Sequence, residues 1–441
     1  MAPSTTQIEE HVSLKLLLNE RGNKVLFAEA DKDFVDILCS FLTMPLGTVA
    51  RLIEKESGVG PVTLGCLNSL YHSVANLDDG CFSADGIKQV LLEPINAAED
   101  YCNTLKINID DTPPTKYLAC NRLNCRFNDL TISPFKDQHK CRCGYSCTSP
   151  VFLKNSCQGF VVGSVTFFIT DNLTVIPNGL DYTRLRLLQE HGIKYPSLVK
   201  EIVLKVTKEK VLDLLKHSLF STSTLTDLFL AKKPSLESSR FFFPDGEITQ
   251  NLKINMKLVI RKSDGKILFA HGEHQFADMI LTFLTIPLGL FARLFGGICS
   301  LGSINRLYKS ISDFNENKYF MSKEAKNRLV DTGVVDLSFC AQFFKHYGDH
   351  NIYTGNIKKM YFLQKFFVKG PVMYVVTDDL VVSPLTPISA LDLLNRFETP
   401  ITDLKEKDVI VGVKEVVSIM MAALTSTAAL TNGLAHLLTE V

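Results

Sequence analysis

An internal match is the feature that most limits what this chain of 441 residues can fold into. Residues 15–52, KLLLNERGNKVLFAEADKDFVDILCSFLTMPLGTVARL, align without a gap with residues 257–294, KLVIRKSDGKILFAHGEHQFADMILTFLTIPLGLFARL, and 17 of the 38 positions are identical. A block that begins at Gly65 or Gly302, and the motifs T-D-x-L-x-V-x-P and S-T-x-x-L-T, then recur in the same order. Self-similarity of this kind predicts two copies of one structural unit. We place the first copy at residues 1–230, a linker at 231–249 and the second copy at 250–441.

Each copy is predicted to contain both strands and helices. Apolar runs at 14–18 and 24–28 flank the polar sequence N-E-R-G-N, which predicts a β-hairpin, and residues 257–270 repeat the pattern. Helical spacing follows over 34–42, and the helix is expected to break at Pro45 because proline lacks a backbone donor. A second hairpin is predicted around Asp171 and around Asp378, with helices after each. This order predicts an α+β fold, a tandem duplication of one β-hairpin/helix unit, rather than a doubly wound parallel sheet.

Composition and the chain ends bear on compartment. Hydrophobic residues make up 46% of the chain, and 47 basic side chains balance 47 acidic ones, which argues against a chain-wide nucleic-acid surface. Residues 418–438 carry no Asp, Glu, Lys or Arg, but the matching first-copy segment, VLDLLKHSLFSTSTLTDLFL, is charged. We therefore predict a buried helix there and no membrane contact. Because the N-terminus lacks a secretory signal, we expect a cytoplasmic or nuclear protein with reduced thiols.

Half of the 12 cysteines fall within 38 residues. Their spacing is C-x4-C, fifteen residues, then C-x-C-x3-C, and they are Cys120, Cys125, Cys141, Cys143, Cys147 and Cys157. Two close pairs on separate turns are what a tetrahedral zinc ion requires. The sequence therefore predicts a zinc-ribbon-like insertion at 115–160, with a closed, structural site formed by Cys120, Cys125, Cys141 and Cys143. The second copy has no cysteine at 351–368, so the insertion is assigned to the first copy alone.

Three alternatives to this assignment stay open. In the first, Cys147 is a ligand in place of Cys141 or Cys143. In the second, the cysteines are unliganded and reduced, and in the third they take part in redox chemistry. The same segment, 115–160, holds seven basic and two acidic side chains. A basic ribbon is typical of some nucleic-acid-binding proteins, and it is also expected as a solvated surface around negative thiolates.

No catalytic motif is recognisable in the sequence. It contains no phosphate-binding G-x-x-x-x-G-K-[ST] loop, no G-x-S-x-G elbow and no H-E-x-x-H pair. The sequence His271-Gly272-Glu273-His274 is interpreted as an exposed helix start, because the first copy has E-A-D-K there. His346 and His350, with Asp349, are interpreted as loop residues. Asp31, Asp33 and Asp36 are expected to complement a helix N-terminus.

The repeated motifs resemble those of a plant-restricted family catalogued as domain of unknown function 674. The resemblance rests on F-L-T-x-P-L-G-x-x-A-R-L, on the duplicated T-D-x-L-x-V-x-P and on S-T-x-x-L-T, and it covers nearly the whole chain. It implies a plant source and paired cysteines at Cys120, Cys125, Cys141 and Cys143. It implies no activity, substrate or catalytic residue.

The leading hypothesis is a non-enzymatic binding or scaffold protein with a structural zinc site and a protein partner. One rival is an enzyme with an unrecognised site between the two copies. The other is a nucleic-acid-associated protein that uses the basic ribbon.

Overall fold

The computed structural model describes residues 10–19, 23–120, 122, 131–133, 143–151, 158–178, 183–193, 195–230, 253–295, 301–330, 359–360 and 367–438. We call residues 10–230 the first half and residues 253–438 the second half. Both contain helices and antiparallel strands, and the predicted α+β class is confirmed.

The strands of the first half are β1 (His11–Asn19), β2 (Lys24–Ala30), β3 (Tyr117–Cys120), β4 (Thr131–Ser133), β5 (Cys147–Val151), β6 (Phe167–Thr170), β7 (Val175–Pro177) and β8 (Val199–Thr207). Those of the second half are β9 (Ile254–Arg261), β10 (Ile267–Glu273), β11 (Lys359–Met360), β12 (Met373–Thr377), β13 (Val382–Pro384) and β14 (Leu404–Val411).

The helices of the first half are α1 (Lys32–Thr43), α2 (Leu46–Ile53), α3 (Leu67–Asn76), α4 (Ile87–Leu92), α5 (Glu99–Cys102), α6 (Thr183–Glu190), α7 (Lys208–Phe220) and α8 (Thr224–Phe229). Those of the second half are α9 (His274–Thr282), α10 (Leu288–Phe295), α11 (Ile304–Ser312), α12 (Glu316–Tyr319), α13 (Lys323–Val330), α14 (Pro387–Arg396), α15 (Val413–Thr425), α16 (Ala429–Gly433) and α17 (Ala435–Leu438).

Each half contains a five-stranded sheet, and the two sheets have the same strand order. The order is β7-β6-β2-β1-β8 in the first sheet and β13-β12-β10-β9-β14 in the second. The predicted hairpins are present as β1–β2, β6–β7, β9–β10 and β12–β13, each antiparallel. The predicted helix break is also present, because α1 ends at Thr43 and α2 begins just after Pro45.

The outermost strands β8 and β14 were not anticipated. Their sequences, VKEIVLKVT and LKEKDVIV, alternate charged and apolar residues, and most of their side chains are exposed or half-buried. Charged side chains are common on edge strands because they discourage pairing with other chains. The same charges remove the apolar pattern by which a strand is recognised.

The two sheets share one hydrophobic core. The inner faces of both sheets and the helices of both halves contribute to a single cluster that includes Leu14, Phe41, Leu258 and Phe291. On the outer faces, α6 covers Leu17 and Phe27 of the first sheet, and α14 covers a matching cluster of the second sheet. Burial against the other half therefore stabilises each half.

The repeated T-x-P-L-G motifs lie against each other at the centre of the contact between the halves. Pro45 and Pro287 form an antiparallel bridge, in which the N–H of Leu46 donates to Ile286 O at 2.8 Å and the N–H of Leu288 donates to Met44 O at 2.9 Å. The motif is therefore an inter-half contact as well as a helix break.

Two further pairs of segments cross between the halves. In the first latch, residues 160–162 pair with residues 319–321, and the bonds Val162 N to Tyr319 O and Met321 N to Phe160 O measure 3.0 and 2.9 Å. In the second latch, residues 81–83 pair with residues 367–369, and Ser83 N to Phe367 O and Lys369 N to Cys81 O measure 2.9 and 2.8 Å. In each latch, a segment of one half is thus hydrogen-bonded to a segment of the other half.

The blocks that begin at Gly65 and Gly302 also cross over. The N–H of Cys66 donates to Ala423 O at 2.7 Å, and the N–H of Ser303 donates to Ser218 O at 2.8 Å. Each glycine has a positive φ and lies against the backbone at the end of α15 or α7. Only a residue without a side chain fits so close an approach.

The repeated T-D and S-T-x-x-L-T motifs contact each other within each half. The carboxylate of Asp171 accepts from the Thr226 N–H at 2.8 Å and from the Thr226 hydroxyl at 2.9 Å, and that hydroxyl accepts from Val25 N at 3.0 Å. Asp378, Thr431 and Ile267 N repeat these three bonds in the second half. These motifs connect the last helices to the sheet.

The apolar C-terminal segment is three helices rather than one. Helix α15 ends at Thr425, and the short helices α16 and α17 follow. Most of α15 is buried, as the sequence predicted. In the described ranges, no helix has the length and apolar character needed to cross a bilayer.

Because the halves exchange segments, cutting the chain within 231–249 is expected to leave them bound to each other. Residues 1–240 and 241–441, coexpressed as separate chains, should elute as one particle with a mass near 49.2 kDa by light scattering. The uncut protein is the control. Separate elution of the two chains would contradict the exchanged contacts.

Candidate metal centre

The Cys-rich segment forms a small sheet apart from the two large ones. Strand β3 is flanked by β4 and β5, both antiparallel to it, and β11 of the second half pairs in parallel with β4. The sequence assigned this segment to the first copy alone, but its sheet includes a strand of the second half. The open edge of β4 provides the backbone groups for this pairing.

The structure brings together two of the four predicted ligands. Cys120 is the last residue of β3 and is 2% exposed, and Cys143 lies in the turn before β5. Their sulfur atoms are 3.5 Å apart. Two thiolates on one tetrahedral zinc ion, each about 2.3 Å from the metal, lie about 3.8 Å apart, whereas disulfide sulfurs are about 2.05 Å apart. The observed spacing fits two ligands of one ion.

The turn that carries Cys143 has a backbone that favours glycine. Gly144 has a φ of +84° and no atom within 4 Å of the place where a Cβ would be. Glycine is therefore favoured there by conformation rather than by lack of space. Next to it, the Arg122 guanidinium lies 3.9 Å from the centre of the exposed Tyr145 ring, which connects the residues that follow each cysteine.

The remaining predicted ligands, Cys125 and Cys141, lie outside the described residues, and so does Cys157. The backbone of Cys147 lies opposite Cys120 in the β3–β5 register. Within the described ranges, no three His, Cys, Asp or Glu side chains come together as a metal site. Zinc binding by the four cysteines therefore stays a prediction.

The other candidate ligands are not gathered into a site in the described part of the chain. His271 lies on β10, where partial burial lowers the pKa of its imidazole, and His274 begins α9 after the exposed Glu273. His346, Asp349 and His350 lie outside the described residues.

The carboxylates around the start of α1 divide into two kinds. Asp31 is the N-cap, and the carboxylate of Asp33 lies 3.6 Å from the Lys106 ammonium. Asp36 is different from the expected helix-start residue, because it is 3% exposed and accepts from the N–H groups of Phe160 and Val161 at 2.8 and 2.9 Å. Its function is to hold the first latch. The sequence signal for this function is an aspartate at the same place in both copies, Asp36 and Asp278, on a helix that is otherwise apolar.

A hollow in the first half is relevant to the enzyme alternative. Its lining includes Asn96, Glu99, Cys102, Asn108 and Asp110, so it lies within the first half rather than between the halves. Burial raises the pKa of the Cys102 thiol to about 12, which keeps it protonated at neutral pH. A protonated, buried thiol is a poor nucleophile.

The model for a protein of unknown function, DUF674, matches residues 8–414, which includes both large sheets and the Cys-rich segment. This chain is a member of the DUF674 family. The family suggested by the sequence motifs is thereby confirmed. No curated protein and no solved structure matches this DUF674 chain.

Proposed function

We propose that this DUF674 protein is a non-enzymatic binding or scaffold protein with a structural zinc ion in segment 115–160. The observation that carries the proposal is the 3.5 Å separation of the sulfurs of Cys120, at the end of β3, and Cys143, in the turn before the paired strand β5. Four thiolates would close the coordination sphere, so the ion would stabilise the small sheet and leave no position for an activated water.

We also propose that the two halves are copies of one ancestral unit. The matching strand orders support this, and so do the equivalent contacts made by Asp171 with Thr226 and by Asp378 with Thr431. The repeated motifs are used to hold the fold together. A partner protein is therefore expected to bind features that differ between the halves, and the Cys-rich sheet is one such feature among the described residues.

Metal analysis tests the zinc site. Purified full-length protein is expected to contain close to one zinc ion per chain, and the variants Cys120→Ser and Cys143→Ser should lose most of it, because each removes one of four thiolates. The same variants should make segment 115–160 more sensitive to limited proteolysis. Zinc-free wild-type protein with freely reactive cysteines would contradict the site.

Two further variants serve as a control for the loss of zinc and as a test of whether Cys147 is a ligand. Cys81→Ser replaces a cysteine far from the cluster in sequence and is expected to leave the zinc content unchanged. Cys147→Ser distinguishes the two assignments. Retained zinc would leave Cys141 and Cys143 as the second pair, and lost zinc would make Cys147 a ligand.

A nucleic-acid partner is the second candidate. It is favoured by the exposed Arg122–Tyr145 pair beside the cysteines and by the excess of basic residues in 115–160. Fluorescence anisotropy with single-stranded RNA and DNA at 50 and 200 mM salt separates the candidates. Tight binding that weakens steeply with salt would favour nucleic acid, whereas no binding at 50 mM would favour a protein partner.

A further inference from the structure

The two latches are held by equivalent carboxylates. Asp278 lies on α9 at the position that Asp36 occupies on α1, and its Oδ1 accepts from the N–H groups of Phe367 and Val368 at 2.8 and 3.0 Å. Each aspartate thus binds the backbone of the segment that crosses to the other half. Whatever changes the charge of the aspartate acts directly on its latch.

The two carboxylates differ in what their second oxygen, Oδ2, contacts. Asp36 Oδ2 lies 2.5 Å from the Lys32 ammonium, which also donates to Val161 O at 2.8 Å. In the second half, His274 stands at the position of Lys32. Asp278 is 0% exposed, and its Oδ2 has no hydrogen-bond partner in the part of the chain that the structure describes. A buried ionised carboxylate with no cation beside it and one oxygen without a donor is costly, so the two latches respond differently to the loss of a proton.

The surroundings of Asp278 provide little to compensate its charge. Burial raises the pKa of Asp278 itself to about 7, against the effect of its two backbone bonds. Tyr374 on β12 donates to the Cys81 and Lys369 carbonyls, and burial raises its pKa to about 12. Burial also raises the pKa of the Cys81 thiol, so both groups are neutral near pH 7.

Other titratable groups belong to the elements around α9. His274 is on α9 itself, and its ring packs against Gly370 just after the second latch. Lys257 on β9 and His271 on β10 alternate with core residues and share the outer face of the sheet with Phe269, away from α9. Lys369 lies within the second latch, where its N–H is bound to Cys81 O.

We propose that the second latch is a proton-controlled contact between the halves, closed while Asp278 holds a proton and weakened when Asp278 ionises. The proton is lost more readily when the latch opens and water reaches the carboxyl group. An exposed aspartate has a pKa of about 4, so the closed latch holds a proton over a pH range in which the open latch does not.

This difference in pKa sets the direction in which pH acts on the second latch. Because the closed form binds more protons, raising the pH favours opening, by about tenfold per pH unit from about 4 to about 7, and the effect levels off above that. Between pH 5 and pH 8, the ratio of open to closed second latch should rise roughly 100-fold. Burial also raises the pKa of Asp36, but the Lys32 ammonium opposes this shift, so the first latch should respond less to pH than the second.

Hydrogen exchange on the full chain tests the proposal. Protection factors, corrected for the intrinsic pH dependence of exchange, would be measured from pH 5 to pH 8 for peptides covering both latches. Protection at 81–83 and 367–369 is expected to fall roughly 100-fold relative to 160–162 and 319–321. Equal pH dependence of the two latches would overturn the proposal.

Three variants assign the effect to the Asp278 position. Asp278→Asn removes the titrating group and should make the second latch insensitive to pH. His274→Lys supplies the ammonium found in the first half and should reduce the pH response of the second latch to about that of the first. Lys32→His should increase the pH response of the first latch. A second latch that still responds to pH in Asp278→Asn would overturn the proposal. If that variant does not fold, His274→Lys and Lys32→His decide the question, since failure of both predicted changes would also overturn it.

Discussion

Replacing Gly302 with alanine is expected to lower the free energy of unfolding by roughly 3 kcal/mol, which would be a large part of the stability of a typical domain. A Cβ on Gly302 would lie 2.4 Å from Ser218 O and 2.7 Å from the carbonyl carbon of Leu219, both backbone atoms of the other half. The N–H of Ser303 binds the same Ser218 oxygen, so moving the backbone away would break that bond. Urea unfolding would measure the loss.

Gly265→Ala is the matched control for Gly302→Ala. Gly265 also has a positive φ, +71°, but no atom lies within 4 Å of the place where its Cβ would be. Its substitution is expected to cost only the backbone strain, about 1 kcal/mol. The difference between the two variants isolates the clash between the halves. Equal losses in the two variants would mean that the halves do not approach each other so closely.

Asp171→Ala is expected to cost about 3–4 kcal/mol, because it removes the acceptor for two hydrogen bonds inside the protein. The lost bonds are those from the Thr226 N–H and hydroxyl, which connect α8 to the first sheet. Asn172→Ala, one residue away, is the control. Asn172 bonds only within its own turn in the described structure, to Thr170 and Thr174, and its loss should cost about 1 kcal/mol.

A double-mutant cycle separates this contact from general damage to the turn. Thr226→Val removes the hydroxyl bonded to Asp171 Oδ2, so the double variant Asp171→Ala with Thr226→Val should be more stable than the sum of the single effects predicts. Coupling of about 1 kcal/mol or more is expected in urea unfolding. Strict additivity would show that the two side chains act independently.

The sequence predicted the elements that carry a strong apolar pattern. The β1–β2 hairpin, α1 and the break at Pro45 all follow from local spacing and the chemistry of proline. The strands β8 and β14 could not be predicted in this way, because both faces are largely exposed and lysine and glutamate interrupt the apolar pattern. Nor does sequence spacing reveal which segments cross between the halves, since those pairs are 85 or more residues apart.

The candidate sites were predictable to different degrees. The spacing of the cysteines predicts a zinc site that includes Cys120 and Cys143, and their sulfurs lie 3.5 Å apart, but zinc binding there stays a prediction. The sequence predicts that Asp36 lies near a helix start, but its burial and its bonds to the first latch depend on a segment more than 120 residues away. The contrast between Lys32 and His274 is visible in the sequence, but its consequence for Asp278 follows only from the fully buried Oδ2.

The exchange of segments between the halves also governs how the protein must be made. Residues 160–162 leave the ribosome about 160 residues before residues 319–321, which bind them in the first latch. At about 5–20 residues per second, synthesis of that stretch takes on the order of 10 s. During this interval the nascent first half exposes the apolar surface that the second half later covers. The bond from the Cys66 N–H to Ala423 O can form only after most of the second half has emerged, so the first half cannot complete its folding before that point.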